Sequence, residues 1–393
     1  APPPPHLPAD ATLALAEPAA PDYREGTTPP AAPVIPVASP SGSGVTEIAE
    51  ALAGIVSEPE RPPRTRTRMW VDRSFTISGA GTVVTGTLVG GPIATGDTLM
   101  LWPGGHEVRV RGLQTHERTV YRIDPGNRAA VNLAGIDRHT VTRGAMLGIP
   151  GQWRPSDRFA AIVRTVRGFD EGLRDRGAFH LHAGSGAWSA RIRVLEGSEI
   201  GEAGPALLTL AEPVPLRSGD RFVLRDVGRR SVVAGGTVLD PHPPRSGSGL
   251  RHALQLLPTG SDPDAVATAL LEIRGRESLA ALDADSGGGA PAGAIEVGAM
   301  AVSTTEANRL VTAAGTLLTS FHEEFPLRPG MPKPDLAGRL GIEPWLLEAL
   351  AAHFSAIADD GATMRNSAFG DALDAGALEA RAAALGYDWP DLE

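Results

Sequence analysis

The residues best equipped for chemistry in this chain are arginines. Arg61, Arg64, Arg66, Arg68 and Arg73 form a local cluster whose charge suits phosphate groups and equally suits a solvated linker. Asp72 stands beside Arg73 at a predicted strand start, a simple arrangement for a local ion pair or a turn anchor. His180 and His182 alternate along a predicted strand, which puts both on one face as a metal pair would require. No third ligand lies close in sequence, so they read as ordinary strand histidines. His116 follows another predicted strand, one that would line a barrel surface.

Several chemistries are excluded. The 393 residues include no cysteine, which removes disulfides, thiolate metal sites and thiol nucleophiles. Gly79-Ala-Gly-Thr-Val-Val-Thr-Gly86 lacks the spacing of a nucleotide loop and is β-branched at its centre, so it reads as a glycine-punctuated strand. A P-loop needs a lysine behind its second glycine to reach the β and γ phosphates. The single lysine, Lys333, lies in Met-Pro-Lys-Pro, and no Asn-Lys-x-Asp guanine-reading motif occurs. Neither phosphate nor base of GTP is provided for, and the chain is not expected to hydrolyse GTP alone.

Stepping outward from these residues, the formal net charge of -10 conceals an uneven distribution. Residues 65–240 contain 23 arginines against 17 acidic residues, a surplus of +6, so the remainder sums to -16. Residues 1–33 are dominated by proline and alanine without apolar periodicity, a composition that predicts disorder. Residues 34–57 predict one short buried strand and one amphipathic helix, too little to fold alone, and residues 58–67 read as a linker. From 68 to about 240, short β-branched runs recur between Gly, Pro and Asp turns every 8 to 12 residues or so, the pattern of antiparallel barrels. Pro150-Gly-Gln-Trp-Arg-Pro155 breaks this region into two barrels, 68–152 and 153–241. Residues 242–250 form a second linker by composition. Helical spacing then returns, and the order of helices followed by a polar hairpin predicts winged-helix modules at 251–303 and 304–369, with the start of another at 370–393. The fold class is therefore multidomain: two all-β antiparallel barrels followed by α+β winged-helix domains. No apolar run is long enough to span a bilayer and no signal peptide opens the chain, which points to no membrane partner and a cytoplasmic location.

The run from Val71 through Gly79-Ala-Gly-Thr-Val-Val-Thr-Gly86, then Gly96-Asp97, Val108-Arg-Val-Arg-Gly-Leu-Gln-Thr-His116 and Pro125-Gly-Asn-Arg-Ala-Ala-Val-Asn-Leu-Ala-Gly135, resembles the second domain of translational GTPases. Arg217-Ser-Gly-Asp-Arg-Phe-Val-Leu-Arg-Asp226 with Ala234-Gly-Gly236 resembles their third domain. Phe321-His-Glu-Glu-Phe-Pro-Leu-Arg-Pro-Gly-Met331 resembles the C-terminal extension of selenocysteine-specific elongation factors, the SelB type. That resemblance implies delivery of selenocysteinyl-tRNA to the ribosome at UGA codons, driven by GTP with Mg in the full-length family, although no cofactor is expected for this chain alone. It implies a selenocysteine-insertion hairpin in the messenger as a further partner, held by a C-terminal domain missing here. Residues 34–57 would be the end of a GTPase domain, with Ala38 and Ser39 left from its guanine loop. It places the pocket for the selenocysteinyl group at Asp72, Arg73 and Arg128, with His116 as a neighbour. A selenol is ionised near neutral pH, and arginine suits it by staying charged and offering several donors. A fragment of a related translational GTPase, or a degenerate RNA-binding remnant without function, remains the alternative.

Overall fold

A computed structural model describes residues 34–57, 66–79, 81–245, 247–258, 262–325 and 328–369, together with Ala383 and Gly386. The segment predicted to be disordered, Arg61, Arg64 and nearly all of 370–393 lie outside the described residues.

The first barrel is built from β1 (Arg68–Ile77), β2 (Gly81–Val89), β3 (Ile93–Ala94), β4 (Thr98–Trp102), β5 (His106–Thr115), β6 (Arg118–Val120), β7 (Arg122–Ile123), β8 (Arg128–Ala134) and β9 (Met146–Gly148). Six of these close in the order β4-β9-β1-β2-β8-β5, with β5 returning to β4 and β6 added beside β5. Burial alternates along β5 and β8, as period-two strands around one interior require. Met69, Leu88, Leu99, Leu101, Leu113, Val131 and Leu147 fill that interior. The second barrel closes as β10 (Ser156–Thr165), β13 (Ala203–Val214), β12 (Gly186–Val194), β11 (Phe179–Ala183), β14 (Arg221–Asp226) and β15 (Ser231–Asp240). Its core centres on Phe159 and Phe222, whose rings meet edge-on at 5.7 Å.

The barrels meet through buried groups. Arg68 pairs with both carboxylate oxygens of Asp220 and donates to the Pro215 carbonyl at 3.1 Å. Its guanidinium lies 4.4 Å from the Trp153 ring centroid. Trp70 packs against Trp188 at 5.9 Å, and the Ser185 hydroxyl donates to the Val71 carbonyl at 2.6 Å. Gly184 has φ +55°, and a Cβ there would stand 2.4 Å from the Trp70 ring, so this close approach admits only glycine. For Arg66 and Arg68 these contacts replace the reading as solvated linker or phosphate contacts, while Arg73 is exposed and Arg61 and Arg64 lie outside the described residues. Arg66 and Arg68 are buried, Arg66 against Asp283 and the Gln152 carbonyl. Burial lowers the Arg66 pKa to about 10, against the opposing charge of Asp285.

Beyond the barrels, α2 (Gly247–Leu256), α3 (Pro263–Arg274) and α4 (Leu279–Ser286) pack with a three-stranded sheet of β16 (Arg276–Ser278), β18 (Met300–Val302) and β17 (Ile295–Val297). Capping explains where the helices begin: the Asp262 and Ser278 side chains accept from Asp264 and Ala281 backbone N–H groups, and Pro263 sits in the first turn. A second unit repeats the plan with α5 (Thr304–Glu324), α6 (Lys333–Leu340), α7 (Pro344–His353) and a sheet of β19 (Met331–Pro332), β21 (Thr363–Asn366) and β20 (Ile357–Asp359). Ala307, Leu310, Val311, Ala314, Leu318 and Phe321 bury one face of α5.

One acid gathers the connecting segments. Asp285 is fully buried and meets Arg274 at 2.8 Å, Arg154 at 2.9 Å and His242 Nδ1 at 3.1 Å. Arg274 also bonds Asp240 at 2.8 Å. Residues 242–245 are thereby held, since Arg158 donates to the Pro243 and Pro244 carbonyls, each at 3.1 Å.

The predicted buried strand at 34–37 is not one. Val34 and Val37 are exposed, and the segment makes only the isolated bridge Ala38–Ser43. A strand needs a sheet neighbour, and none exists there among the described residues. Helix α1 (Val45–Ser57) follows, and none of its residues is buried.

Candidate functional site: a bulged rim on the first barrel

Sequence reasoning put Asp72 at a strand start. It lies mid-strand in β1, on a bulge. The β1–β2 register runs Val71 opposite Gly86 and then Arg73 opposite Thr85, leaving Asp72 as the extra residue. An extra residue turns its side chain out of the ordinary alternation. Gly86 makes the bulge feasible, because a Cβ there would come within 2.3 Å of the Trp70 carbonyl oxygen.

The re-aimed carboxylate divides its oxygens. Oδ1 accepts from the Thr85 hydroxyl at 2.6 Å, and Oδ2 accepts from Arg128 Nη2 at 2.6 Å. Arg128 reaches it from the first residue of β8, two strands away across β2. Partial burial works to raise the Asp72 pKa, but the Thr85 hydrogen bond, the Arg128 hydrogen bond and charge, and the charge of Arg73 together hold it below the ordinary carboxylate value. Asp72 therefore stays ionised at neutral pH. Arg73 is exposed, and Arg128 keeps 53% of its side-chain surface open to solvent. The rim thus presents two guanidiniums against one fixed carboxylate, a net positive site able to receive a small anion.

His116 sits in the β5–β6 turn with φ 48°. The β5–β8 register pairs Gln114 with Ala130, and the neighbouring Thr115 hydroxyl donates to the Arg128 carbonyl at 2.8 Å. Continuing that register carries the chain at His116 toward Arg128, although no contact joins the two side chains in the hydrogen-bond and ion-pair geometry. Asp72, Arg73 and Arg128 are thus brought together and His116 is placed beside them. Thr85 is a participant that sequence reasoning missed. It lay inside the glycine-punctuated strand, and nothing local separates it from Thr82 or Thr87.

Ala38 and Ser39 lie far along the chain from this rim. The Ala38 backbone bonds Ser43 in a tight loop, and Ser39 is exposed. Residues 34–57 include no basic side chain and carry Glu47 and Glu50, so they do not fit a magnesium-bound triphosphate. His180 and His182 stack edge-on with ring centroids 6.5 Å apart. Desolvation, with the nearby His180 and Arg225, lowers the His182 pKa. Among the described residues no cluster of three or more His, Cys, Asp or Glu suits a metal, and no helix is long and apolar enough to cross a membrane.

Two closed six-stranded antiparallel barrels in tandem, followed by small helical units, are the architecture of a translation elongation factor. The chain superimposes on the crystal structure of a bacterial selenocysteine-specific elongation factor with a TM-score of 0.70, covering 90% of this chain and 58% of that one at 20% identity. Residues 161–245 match the family model described as the β-barrel domain of selenocysteine-specific elongation factor. The chain is 32% identical to the selenocysteine-specific elongation factor of Desulfomicrobium baculatum over 223 residues, 56% of this chain and 35% of the relative. It is 31% identical to that of Escherichia coli (strain K12) over 238 residues, 59% of this chain and 37% of the relative. The chain is thus similar to selenocysteine-specific elongation factors over part of its length, and the matched region spans little more than a third of each of these relatives.

Proposed function

We propose that this chain supplies the aminoacyl-tRNA-holding barrels of a selenocysteine-specific elongation factor, which delivers selenocysteinyl-tRNA to the ribosome at UGA codons in the cytoplasm. The observation that supports this reading best is the rim pair Asp72–Arg128, with Arg73 alongside. An ionised selenol meets two arginines there, whereas a serine hydroxyl offers no charge to satisfy them. In this reading residues 68–152 and 153–241 are the second and third domains of the factor. Residues 251–303 and 304–369 are winged helices carrying the complex toward the messenger, with 58–67 and 242–250 as connectors. A selenocysteine-insertion hairpin in the messenger is the further partner in this reading. GTP and Mg are handled by a GTPase domain of which 34–57, with Ala38 and Ser39, is the last part.

The test is a binding competition between selenocysteinyl-tRNA and seryl-tRNA, with a GTPase domain supplied upstream. Arg128→Ala should lower affinity for the selenocysteinyl form about 10-fold or more while sparing the seryl form, as expected for one charge-assisted contact. Arg118→Ala, on the neighbouring β6 strand, should weaken both about equally and reduce the salt dependence. Equal losses for both tRNAs with Arg128→Ala would make that residue a phosphate contact and remove the basis for selectivity at this rim.

A further inference from the structure

We propose that the exposed face of α7 is a docking surface for a cationic, arginine-rich segment of another protein. Trp345 stands near the start of α7 and keeps 45% of its surface exposed, the one large apolar side chain so open among the described residues from 262 to 369. Trp345, Glu348, Ala349 and Ala352 recur at helical spacing on one side of α7, opposite the buried Leu346, Leu347 and Leu350. In the winged-helix reading above, α7 and the β20–β21 hairpin are the parts that would meet a nucleic acid. Their charge opposes that. Helix α7 holds no lysine or arginine, and residues 331–366 carry five acidic residues against Lys333, Arg339 and Arg365. Lys333 is held within the fold by Glu348 at 3.0 Å and Asp359 at 2.9 Å, and Arg365 pairs with Asp360 at 2.9 Å. Phosphates would find little there to neutralise them. A cation fits instead. Glu348 keeps 48% of its side-chain surface open beside Lys333, and it lies one turn from Trp345 on the same face. The chain itself shows what such a pair holds: at the barrel joint the Arg68 guanidinium sits 4.4 Å from the Trp153 ring centroid, with Asp220 as its counter-charge. Tryptophan is the best ring for this contact and arginine its more frequent partner. Among the described residues no cation lies over the Trp345 ring. On α7 the ring and the carboxylate are present and exposed, and the guanidinium is left for a partner to supply. Tryptophan and arginine are also side chains in which interface binding energy concentrates.

The experiment uses the 393-residue chain. A fluorescently labelled peptide of alternating arginine and glycine is titrated at physiological salt with anisotropy as the readout, beside a glutamate–glycine peptide and a labelled RNA duplex. The arginine peptide should bind and the glutamate peptide should not. Trp345→Ala should weaken arginine-peptide binding about 2- to 5-fold, the value of one exposed cation–ring contact. Trp345→Leu should weaken it too, because an apolar side chain remains but the ring face is lost. Glu348→Gln should weaken it by a similar factor and flatten its salt dependence, while Lys333 retains Asp359. Both side chains are exposed, so thermal unfolding should stay unchanged and a weaker titration reports lost contact. Failure of the wild-type chain to bind the arginine peptide, or undiminished binding by any of the three variants, overturns the proposal. So does an RNA duplex that binds the wild-type chain and loses that binding in Trp345→Ala, since α7 would then be a nucleic-acid face.

Discussion

Replacing Asp220 with alanine probes the joint between the barrels most directly. The side chains of Arg68 and Asp220 retain 9% and 12% of their exposure, and the acid also accepts from the Arg217 backbone N–H at 3.0 Å. In Asp220→Ala the Arg68 guanidinium keeps only the Pro215 carbonyl and the faces of Trp153 and Trp70, at 4.4 and 5.1 Å, with no counter-charge. Removing one partner of a buried ion pair costs about 3–5 kcal/mol. With a urea dependence near 2–3 kcal/mol per molar, that loss lowers the unfolding midpoint by roughly 1–2 M. Tryptophan fluorescence is the suitable assay, because Trp70, Trp153 and Trp188 all lie at this contact. The reasoning also fixes a partial remedy: Arg68→Met combined with Asp220→Leu removes both charges and should recover most of the loss. A single-mutant loss below about 1 kcal/mol, or a double mutant as unstable as the single, would refute it. The acid dependence follows in sign. Burial works to raise the Asp220 pKa, but Arg68 and Arg217 hold it below 3.8. Its contribution is therefore present above pH ~3.8 and is lost as pH falls below that value toward the folded pKa.

Asp285→Ala should leave Arg274 with Asp240, Arg154 with Glu277 and His242 without its acid, so the first helical unit should melt apart from the second barrel in calorimetry; a transition no different from wild type would mean that this network carries no coupling. Titration with a fluorescent GTP analogue should give no saturation, and micromolar binding would show a nucleotide site that residues 34–57 do not provide.

The barrels were legible because period-two burial and turn residues repeat along β2, β5, β8 and β12, whichever partner each strand finds. Strand β1 was expected to start at Asp72, whereas it starts at Arg68. Asp72 and Arg73 interrupt its alternation, and the same bulge that hides this start from pattern reading creates the rim. Asp72, Arg73 and Arg128 came from resemblance, and their convergence could not come from spacing, since Arg128 lies 56 positions beyond Asp72. The burial of Arg66 and Arg68 was illegible for a similar reason: Asp220 is 152 residues from Arg68, and a local run of arginines carries no sign of so distant an acid. Apolar spacing alone does not mark the end of α7. Leu347, Leu350, Phe354 and Ile357 keep a helical period, yet Phe354 turns extended at φ -117° and Ile357 begins β20.

The shared cores at each joint make the described body behave as a stiff lever. Trp70 of the first barrel packs on the core of the second. Leu239 of β15 lies in the core of the first helical unit, and Val302 of that unit lies in the core around α5. Bending at any of these joints would open apolar surface to water, so burial opposes rotation of one unit against the next. Packing at the joints thereby sets the separation between the first barrel and the second helical unit.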